Sequence, residues 1–270
     1  MKRLAIGCAV LLLVPVLSAG PPPHAEASKK KSIKSTVNSQ ESGDYGFFDL
    51  SYVDVIELSQ PFEDGLALES EGESSCEPAR TGTILHAPAQ FDSESRVMEK
   101  LPSERFMGIL VIIDVTEAVE KNPAYVIESS VIDEWELENE RIPKFSWVIF
   151  RTGWSDKWEE REEYLSEAEG KPAYPTLDEN AARLLAKGRK VYGIGIDTAC
   201  PDGGTGAVHN TLKSEEEVLL LENLTNLEYL PTLGAWLVAF PPRGEDSMAT
   251  PTRVIAFVRP DERRRPFVDD

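Results

Sequence analysis

Two histidines and a glutamate are the candidate side chains of this chain for acid–base or metal chemistry. The sequence holds three histidines, and His86 and His209 each lie in a segment rich in small residues. Glu222 follows His209 at the end of an apolar run. A carboxylate that ends a buried strand is costly unless it is paired, hydrogen-bonded or bound to a metal ion. Glu222 therefore needs a partner, and His209 is a candidate for that role.

The charge of the chain limits its partners. The formal net charge is −19 at pH 7, so no basic face is available to displace counterions from phosphates, and we expect no nucleic-acid partner. Two acidic runs, Glu134–Glu140 and Glu159–Glu169, predict exposed helix faces rather than metal sites. Hard cations need several oxygens that converge in a loop, whereas these carboxylates are strung along the chain.

The first residues predict a secretory signal peptide at residues 1–19. Two basic residues precede an apolar run, Leu4–Leu17, and small residues follow it; the run is too short and wrongly flanked to span a bilayer. Small residues at alternate positions also allow cleavage as late as Ala27, and a retained N-terminal anchor is the alternative to cleavage. Residues 20–44 have almost no large apolar side chains and predict a flexible leader. We therefore expect a secreted, extracellular protein without a membrane span.

The remaining chain predicts one α/β domain at residues 45–260, followed by a charged tail at residues 261–270. Apolar runs rich in Val, Ile and Phe predict the following buried strands: Val55–Leu58, Ile109–Val115, Trp147–Arg151, Val191–Asp197, Val218–Glu222, Ala235–Phe240 and Arg253–Val258. Many are apolar at consecutive positions, which suits a sheet covered on both faces. Some strands follow one another without a helix, so we expect a compact single domain with a mixed β-sheet flanked by helices.

Two stretches predict helices beside this sheet. Thr176 to Glu179 form a capping box that begins a helix, and Gly188 is its expected stop. Ser130 is the expected cap of a second helix, which runs through Trp135 and Leu137.

Several segments together carry a resemblance to a known family. They are Val148–Trp154, which contains RTGW; GID at residues 195–197; Glu222–Leu227, which reads ENLTNL; and Met248–Ala256. In this order they resemble the cyclase family of metal-dependent hydrolases, which includes bacterial-type kynurenine formamidases and isatin hydrolases. The resemblance implies a swivelling β/β/α-like fold. It also implies a two-metal hydrolase, in which a metal-bound water attacks an amide or formamide carbonyl.

The metal-binding signature of that family is only partly present here. It reads His-x-Gly-Thr-His-x-Asp-x-Pro-x-His, and a later His and Glu complete the metal shell. The residues that match are Gly82, Thr83, Pro88, His209 and Glu222. The family has two ligand histidines, a bridging aspartate and a proton-handling histidine at the other positions. This chain has Arg80, Ile84, His86 and Gln90 there.

These replacements change the chemistry that the resemblance implies. Arg80 carries a permanent positive charge and Ile84 has no donor atom, so we expect the first metal site to be absent. Gln90 cannot exchange a proton near neutral pH, which leaves it a role in positioning substrate. Losing acid–base help in this way costs roughly 10²- to 10⁴-fold in rate.

Around the second metal, the resemblance places His86, His209 and Glu222. Two histidines and a carboxylate suffice to hold one divalent ion, Zn²⁺ or Mn²⁺, with an open position for water. The alternative is that His86 only forms a hydrogen bond in a packed loop, while Arg80 or backbone donors satisfy Glu222. Arg80 would then neutralise Glu222 or Asp197 inside the former metal cavity. The predicted cleft residues are Arg80, Thr83 and Asp197.

Two functions from different classes follow from this pattern. As an enzyme, the chain would hydrolyse a C–N bond of a small amide or formamide with metal-activated water, at weak or altered activity. As a catalytically inactive binding protein, it would capture a small ligand or a partner protein in the former active-site cleft.

The resemblance also suggests a homo-oligomer. It brings Cys76 and Cys200 to the same cleft, where we predict a disulfide.

Overall fold

The computed structural model describes residues 53–62, 82–90, 95–168, 170–213, 218–245, 247–262 and 264. They belong to one compact unit that spans Gly43–Asp270. The predicted signal peptide, the predicted leader, Arg80 and Cys76 lie outside the described residues. No helix in the described part of the chain is long and apolar enough to cross a membrane.

One mixed β-sheet organises the described residues. The strands, numbered in chain order, are β1 (Asp54–Glu57), β2 (Ile84–His86), β3 (Met107–Asp114), β4 (Val126–Ile127), β5 (Trp147–Arg151), β6 (Glu167–Ala168), β7 (Lys171–Pro172), β8 (Thr176–Leu177), β9 (Gly193–Ile196), β10 (Leu219–Glu222), β11 (Leu233–Phe240), β12 (Ala249–Pro251) and β13 (Arg253–Val258). The main sheet has the order β1-β13-β11-β3-β5-β9-β10-β2-β12, while β4 pairs with β8 and β6 with β7. Neighbours from β3 to β10 run parallel and the outer pairs run antiparallel.

Short helices connect the strands. The α-helices are α1 (Thr116–Lys121), α2 (Ser129–Glu138), α3 (Arg161–Tyr164), α4 (Glu179–Arg183) and α5 (Ala207–Lys213), and α4 continues as a π-helix over Leu184–Arg189. Single 3₁₀ turns lie at Pro88–Gln90, Met98–Lys100, Ser103–Phe106, Trp154–Lys157 and Leu227–Tyr229.

The predicted α/β class and mixed sheet are confirmed. Each apolar run predicted as a strand overlaps a strand of the main sheet, and Trp147–Arg151 and Arg253–Val258 have the predicted bounds. The sheet separates two apolar layers. Val111, Phe150 and Leu185 pack in the layer on the helix side, and Leu110 and Leu237 pack in the opposite layer. Because both faces are covered, the central strands are apolar at consecutive positions.

The predicted helix boundaries are shifted. Asp178, not Thr176, is the N-cap of α4, and its carboxylate accepts the Asn180 N–H at 2.8 Å. Thr176 lies instead in β8, where pairing with β4 holds it. The helical stretch also passes the expected stop at Gly188 and ends at Lys190, which has a positive φ of 58°.

Two smaller expectations also change. Ser130 lies in the first turn of α2, which begins one residue earlier at Ser129. The acidic run Glu134–Glu140 falls largely on α2 as predicted. The second run, Glu159–Glu169, is divided between α3 and β6, so the prediction of a single helix face there is wrong.

Candidate functional site

His86 and Glu222 form a buried pair where β2 meets β10. In this antiparallel pairing Leu220 lies opposite His86, and Glu222 lies opposite Ile84. Side chains alternate along a strand, so Glu222 shares a face with Leu220, which packs in the helix-side layer. His86 Nε2 lies 3.0 Å from Glu222 Oε2, and the two side chains are 5% and 1% exposed. His86 is therefore a partner that the buried glutamate requires.

His209 approaches the same carboxylate from helix α5. Its Nε2 lies 3.7 Å from Glu222 Oε1, a distance longer than a hydrogen bond, so the contact is electrostatic. The rings of His86 and His209 are 5.7 Å apart between centroids and cross at 70°. The structure thus brings the three predicted metal ligands together, and both oxygens of Glu222 face imidazole nitrogens.

Asp202 holds the other side of the His209 ring. Its Oδ2 lies 2.9 Å from His209 Nδ1 and accepts the backbone N–H of Val208 at 3.1 Å. Its Oδ1 accepts the backbone N–H of Gly204 at 3.2 Å. Burial alone would raise the pKa of Asp202, but the hydrogen bond and charge of His209 outweigh burial and lower that pKa. Asp202 is therefore ionised near neutral pH.

We call His86, Asp202, His209 and Glu222 the acid–imidazole cluster. Sequence reasoning missed Asp202, although one signal was present. An aspartate followed by two glycines is a common turn pattern. That pattern predicts a turn at Asp202, before α5 and seven residues before His209.

Asn223 fixes the end of β10 just beyond Glu222. Its backbone has a positive φ of 57°, and its side-chain amide donates to the Gly82 carbonyl at 2.9 Å. The Thr83 hydroxyl donates to the Asn223 carbonyl at 2.6 Å, and the Tyr164 hydroxyl donates to Asn223 Oδ1 at 2.7 Å. These bonds hold three segments together beside the cluster: β10, α3 and the turn at Gly82 and Thr83, which we call the signature turn.

Asp197, a predicted cleft residue, has a structural role instead. Its carboxylate accepts the Thr152 N–H at 3.0 Å, the Thr152 hydroxyl at 2.5 Å and the Gly153 N–H at 2.9 Å. The side chain is fully buried. Burial raises its pKa to about 6, even though these hydrogen bonds lower it. Asp197 therefore fastens the turn that follows β5 to the end of β9, and we assign it to the scaffold.

Thr83, the other described cleft residue, does line a cavity. The cavity has a volume of about 450 Å³, and Phe62 and Arg253 also line it. This volume is within the range of small-molecule sites. Of the residues that the structure describes, no member of the acid–imidazole cluster lines this cavity.

The side chains present do not fit the two-metal centre that the resemblance implies. Ile84, opposite Glu222, offers no donor atom. In the described part of the chain, no group of three or more His, Cys, Asp or Glu side chains is arranged to hold a metal ion. A single ion held by His86, His209 and Glu222 stays a prediction, and we derive no chemical step through a metal. Arg80 and the side chain of Gln90 lie outside what the structure describes.

Comparisons with known proteins bear on the family and the fold of this chain. A family model described as putative cyclase matches residues 56–203. Isatin hydrolase of Roseibium aggregatum is 26% identical over 189 residues, which are 66% of this chain and 71% of that protein. The structure of isatin hydrolase A from Labrenzia aggregata, bound to benzyl benzoate, has a TM-score of 0.67 at 26% identity and covers 77% of this chain and 94% of that chain.

A more distant structure gives the same fold. It is described as a potential metal-dependent hydrolase with cyclase activity, and it has a TM-score of 0.56 at 22% identity. It covers 77% of this chain and 98% of that chain. The family model ends before His209 and Glu222, so the assignment of these two residues to the site rests on their distances in the structure.

Proposed function

Because this chain belongs to the cyclase family, we propose that it hydrolyses a C–N bond of a small cyclic amide or formamide, and that the acid–imidazole cluster handles the proton of the attacking water. The single observation that carries this proposal is the buried pair of His86 and Glu222, 3.0 Å apart. The name of the isatin hydrolase relatives supports a cyclic amide as the substrate class.

The reaction balances with water alone. A proton passes from water to the His86–Glu222 pair while the water oxygen adds to the carbonyl carbon. The C–N bond then breaks, and the proton passes to the leaving nitrogen. A cyclic amide yields an open-chain amino acid, and a formamide yields formate and an amine. A positioned acid–base group contributes typically 10²- to 10⁴-fold to such a step.

Hydrolysis of isatin and of aryl formamides such as N-formylkynurenine tests this proposal. The purified protein would be assayed after chelator treatment, with and without added Zn²⁺ or Mn²⁺. We expect Glu222→Gln to lower kcat by at least about 100-fold. The matched control is Glu179→Gln, because Glu179 is 45% exposed and pairs with Arg183 four residues along its helix. No turnover of any substrate under any condition would overturn the proposal.

The same preparation tests the single-ion hypothesis. Metal analysis after mild dialysis should find one divalent ion per chain if His86, His209 and Glu222 hold one. A protein that turns over substrate and contains no divalent ion near stoichiometry would end that hypothesis, while leaving the proton-handling role of the cluster intact.

The cavity beside Thr83 favours a second function, ligand capture without turnover. A ligand there would contact Phe62 and Arg253 without touching the cluster. Calorimetric titration with isatin should then give binding that Phe62→Ala weakens and Glu222→Gln does not. Phe145→Ala is the control, because Phe145 is a similarly exposed ring elsewhere on the surface. Binding abolished by Glu222→Gln would contradict capture at this cavity.

We also propose that the protein is secreted and that Cys76 pairs with Cys200. The signal-like residues 1–19 support secretion, and the even number of cysteines left after their removal supports pairing. N-terminal sequencing of the exported protein should find Gly20 or Ser28 as the first residue. A count of two free thiols in the denatured, non-reduced protein would refute the disulfide.

A further inference from the structure

The carboxylate of Asp202 is placed to decide which nitrogen of His209 carries a proton. Oδ2 lies 2.9 Å from His209 Nδ1, within hydrogen-bond distance. The two side chains are 2% and 1% exposed, so water does not compete for this contact. The carboxylate itself is held by the backbone N–H groups of Gly204 and Val208, which fix its direction toward the ring.

Elementary hydrogen-bond chemistry then requires a proton on His209 Nδ1, whether the ring is neutral or an imidazolium. An ionised carboxylate only accepts hydrogen bonds, whereas a neutral imidazole has one nitrogen that donates and one that accepts. If Nδ1 lacked its proton, its lone pair would face a negative oxygen at 2.9 Å in a buried site, with no compensating bond. The proton on Nδ1 removes this repulsion and forms a charge-assisted hydrogen bond.

We propose that Asp202 is a positioning residue, which keeps a proton on His209 Nδ1 and thereby presents His209 Nε2 to Glu222. Nε2 is the nitrogen that lies 3.7 Å from Glu222 Oε1. Nε2 is therefore the nitrogen of His209 that faces Glu222, across a contact longer than a hydrogen bond. The effect on turnover rests on the proposed hydrolytic function, whereas the position of the proton does not.

The small number of histidines makes the proton position directly measurable. The chain has three histidines, so selective ¹⁵N-histidine labelling gives three ring systems, and His24→Gln and His86→Gln variants assign the third to His209. Near neutral pH we expect His209 Nδ1 to resonate as a protonated nitrogen in the full-length protein. An unprotonated signal for Nδ1 would overturn the proposal, whether or not the protein has activity.

Removing the carboxylate tests its causal role. In Asp202→Ala we expect His209 Nδ1 to lose its obligatory proton, and the population protonated only on Nε2 to rise. If that variant does not fold, Asp202→Asn serves with the same readout, because its amide can donate to Nδ1. An unchanged nitrogen pattern in a folded variant would show that Asp202 does not set the proton position.

Activity separates positioning from simple stabilisation. We expect Asp202→Asn to lower kcat about 10- to 100-fold with little change in KM. This is the range found when a carboxylate that orients a metal-ligating histidine is replaced. Asp178→Asn is the matched control, because the Asp178 carboxylate also accepts a backbone N–H in the first turn of a helix. If both variants lower kcat equally, the role of Asp202 is structural. If wild-type protein hydrolyses nothing, the proposed function fails while the nitrogen spectrum still tests the proposal.

Discussion

Replacing Tyr164 with Phe should destabilise the fold, although the change removes only one oxygen. The Tyr164 side chain is fully buried, and its hydroxyl donates to Asn223 Oδ1 at 2.7 Å. The Tyr164 hydroxyl oxygen also lies 3.2 Å from the Asp197 carbonyl oxygen. Burial, and then the charges of Asp197 and Glu222, raise the pKa of Tyr164 well above its ordinary value. The phenol therefore remains a donor at every pH at which the protein would be assayed.

The size of the effect follows from what the hydroxyl leaves behind. In Tyr164→Phe, Asn223 Oδ1 stays buried and loses this donor. A buried acceptor left unsatisfied costs about 1–3 kcal/mol. For a folded unit of roughly 200 residues, each kcal/mol lowers Tm by about 2–4 °C, so we expect Tm to fall by about 2–12 °C.

Thermal unfolding followed by circular dichroism measures this change, and urea titration supplies the free energy of unfolding. Tyr125→Phe is the control, because Tyr125 is only partly buried beside the same apolar layer and lies far along the chain from Asn223. We expect the control to change the free energy of unfolding by less than about 0.5 kcal/mol. Equal Tm values for wild type and Tyr164→Phe would refute the assigned role of the hydroxyl.

Two further changes test the scaffold around the site. Burial raises the pKa of Asp197 from 3.8 to about 6, so this carboxyl stabilises the fold most below its unfolded pKa, and the contribution is lost as pH rises through about 6. As pH rises from 3.8 to about 6, the free energy of unfolding should therefore fall by up to ~3 kcal/mol more in wild type than in Asp197→Asn. Parallel pH profiles of the two proteins would contradict this. Gly82→Ala should destabilise by more than Gly170→Ala: both glycines have positive φ, but only at Gly82 would a Cβ meet backbone, at 2.8 Å from the Pro61 oxygen. Chemical denaturation compares the two variants, and equal losses would show that the steric contact at Gly82 is relieved.

The strands could be predicted from sequence because their signal is local. Runs such as Trp147–Arg151 are apolar at consecutive positions, and burial on both faces demands that pattern. β2 has no such signal. It consists of Ile84–His86, and it becomes a strand because β10 and β12 pair with its two edges. Both partners lie more than a hundred residues later in the chain, so no local window contains the information.

The site could be predicted only in part, because its residues lie far apart in the sequence. His86, His209 and Glu222 were found because the family pattern records which distant residues meet. Asp202 and Asn223 were missed because their roles depend on hydrogen bonds formed only in the folded chain. The bond from Thr83 to the Asn223 carbonyl spans 140 residues, and the bond from Tyr164 to Asn223 spans 59. A single side chain that forms such a long-range hydrogen bond produces no periodic pattern in the sequence.

The pairing of β2 with β10 links the scaffold to the chemistry. A slip of one residue would turn His86 to the opposite layer, because side chains alternate along a strand. The bonds from Thr83 to Asn223 and from Asn223 to Gly82 hold this register at the end where the two strands meet. Gly82 and Thr83 match the family signature, whereas Ile84 and His86 stand where metal ligands are expected. The signature turn therefore has a structural task separate from metal binding, and it positions the His86–Glu222 pair even where the ligand side chains differ.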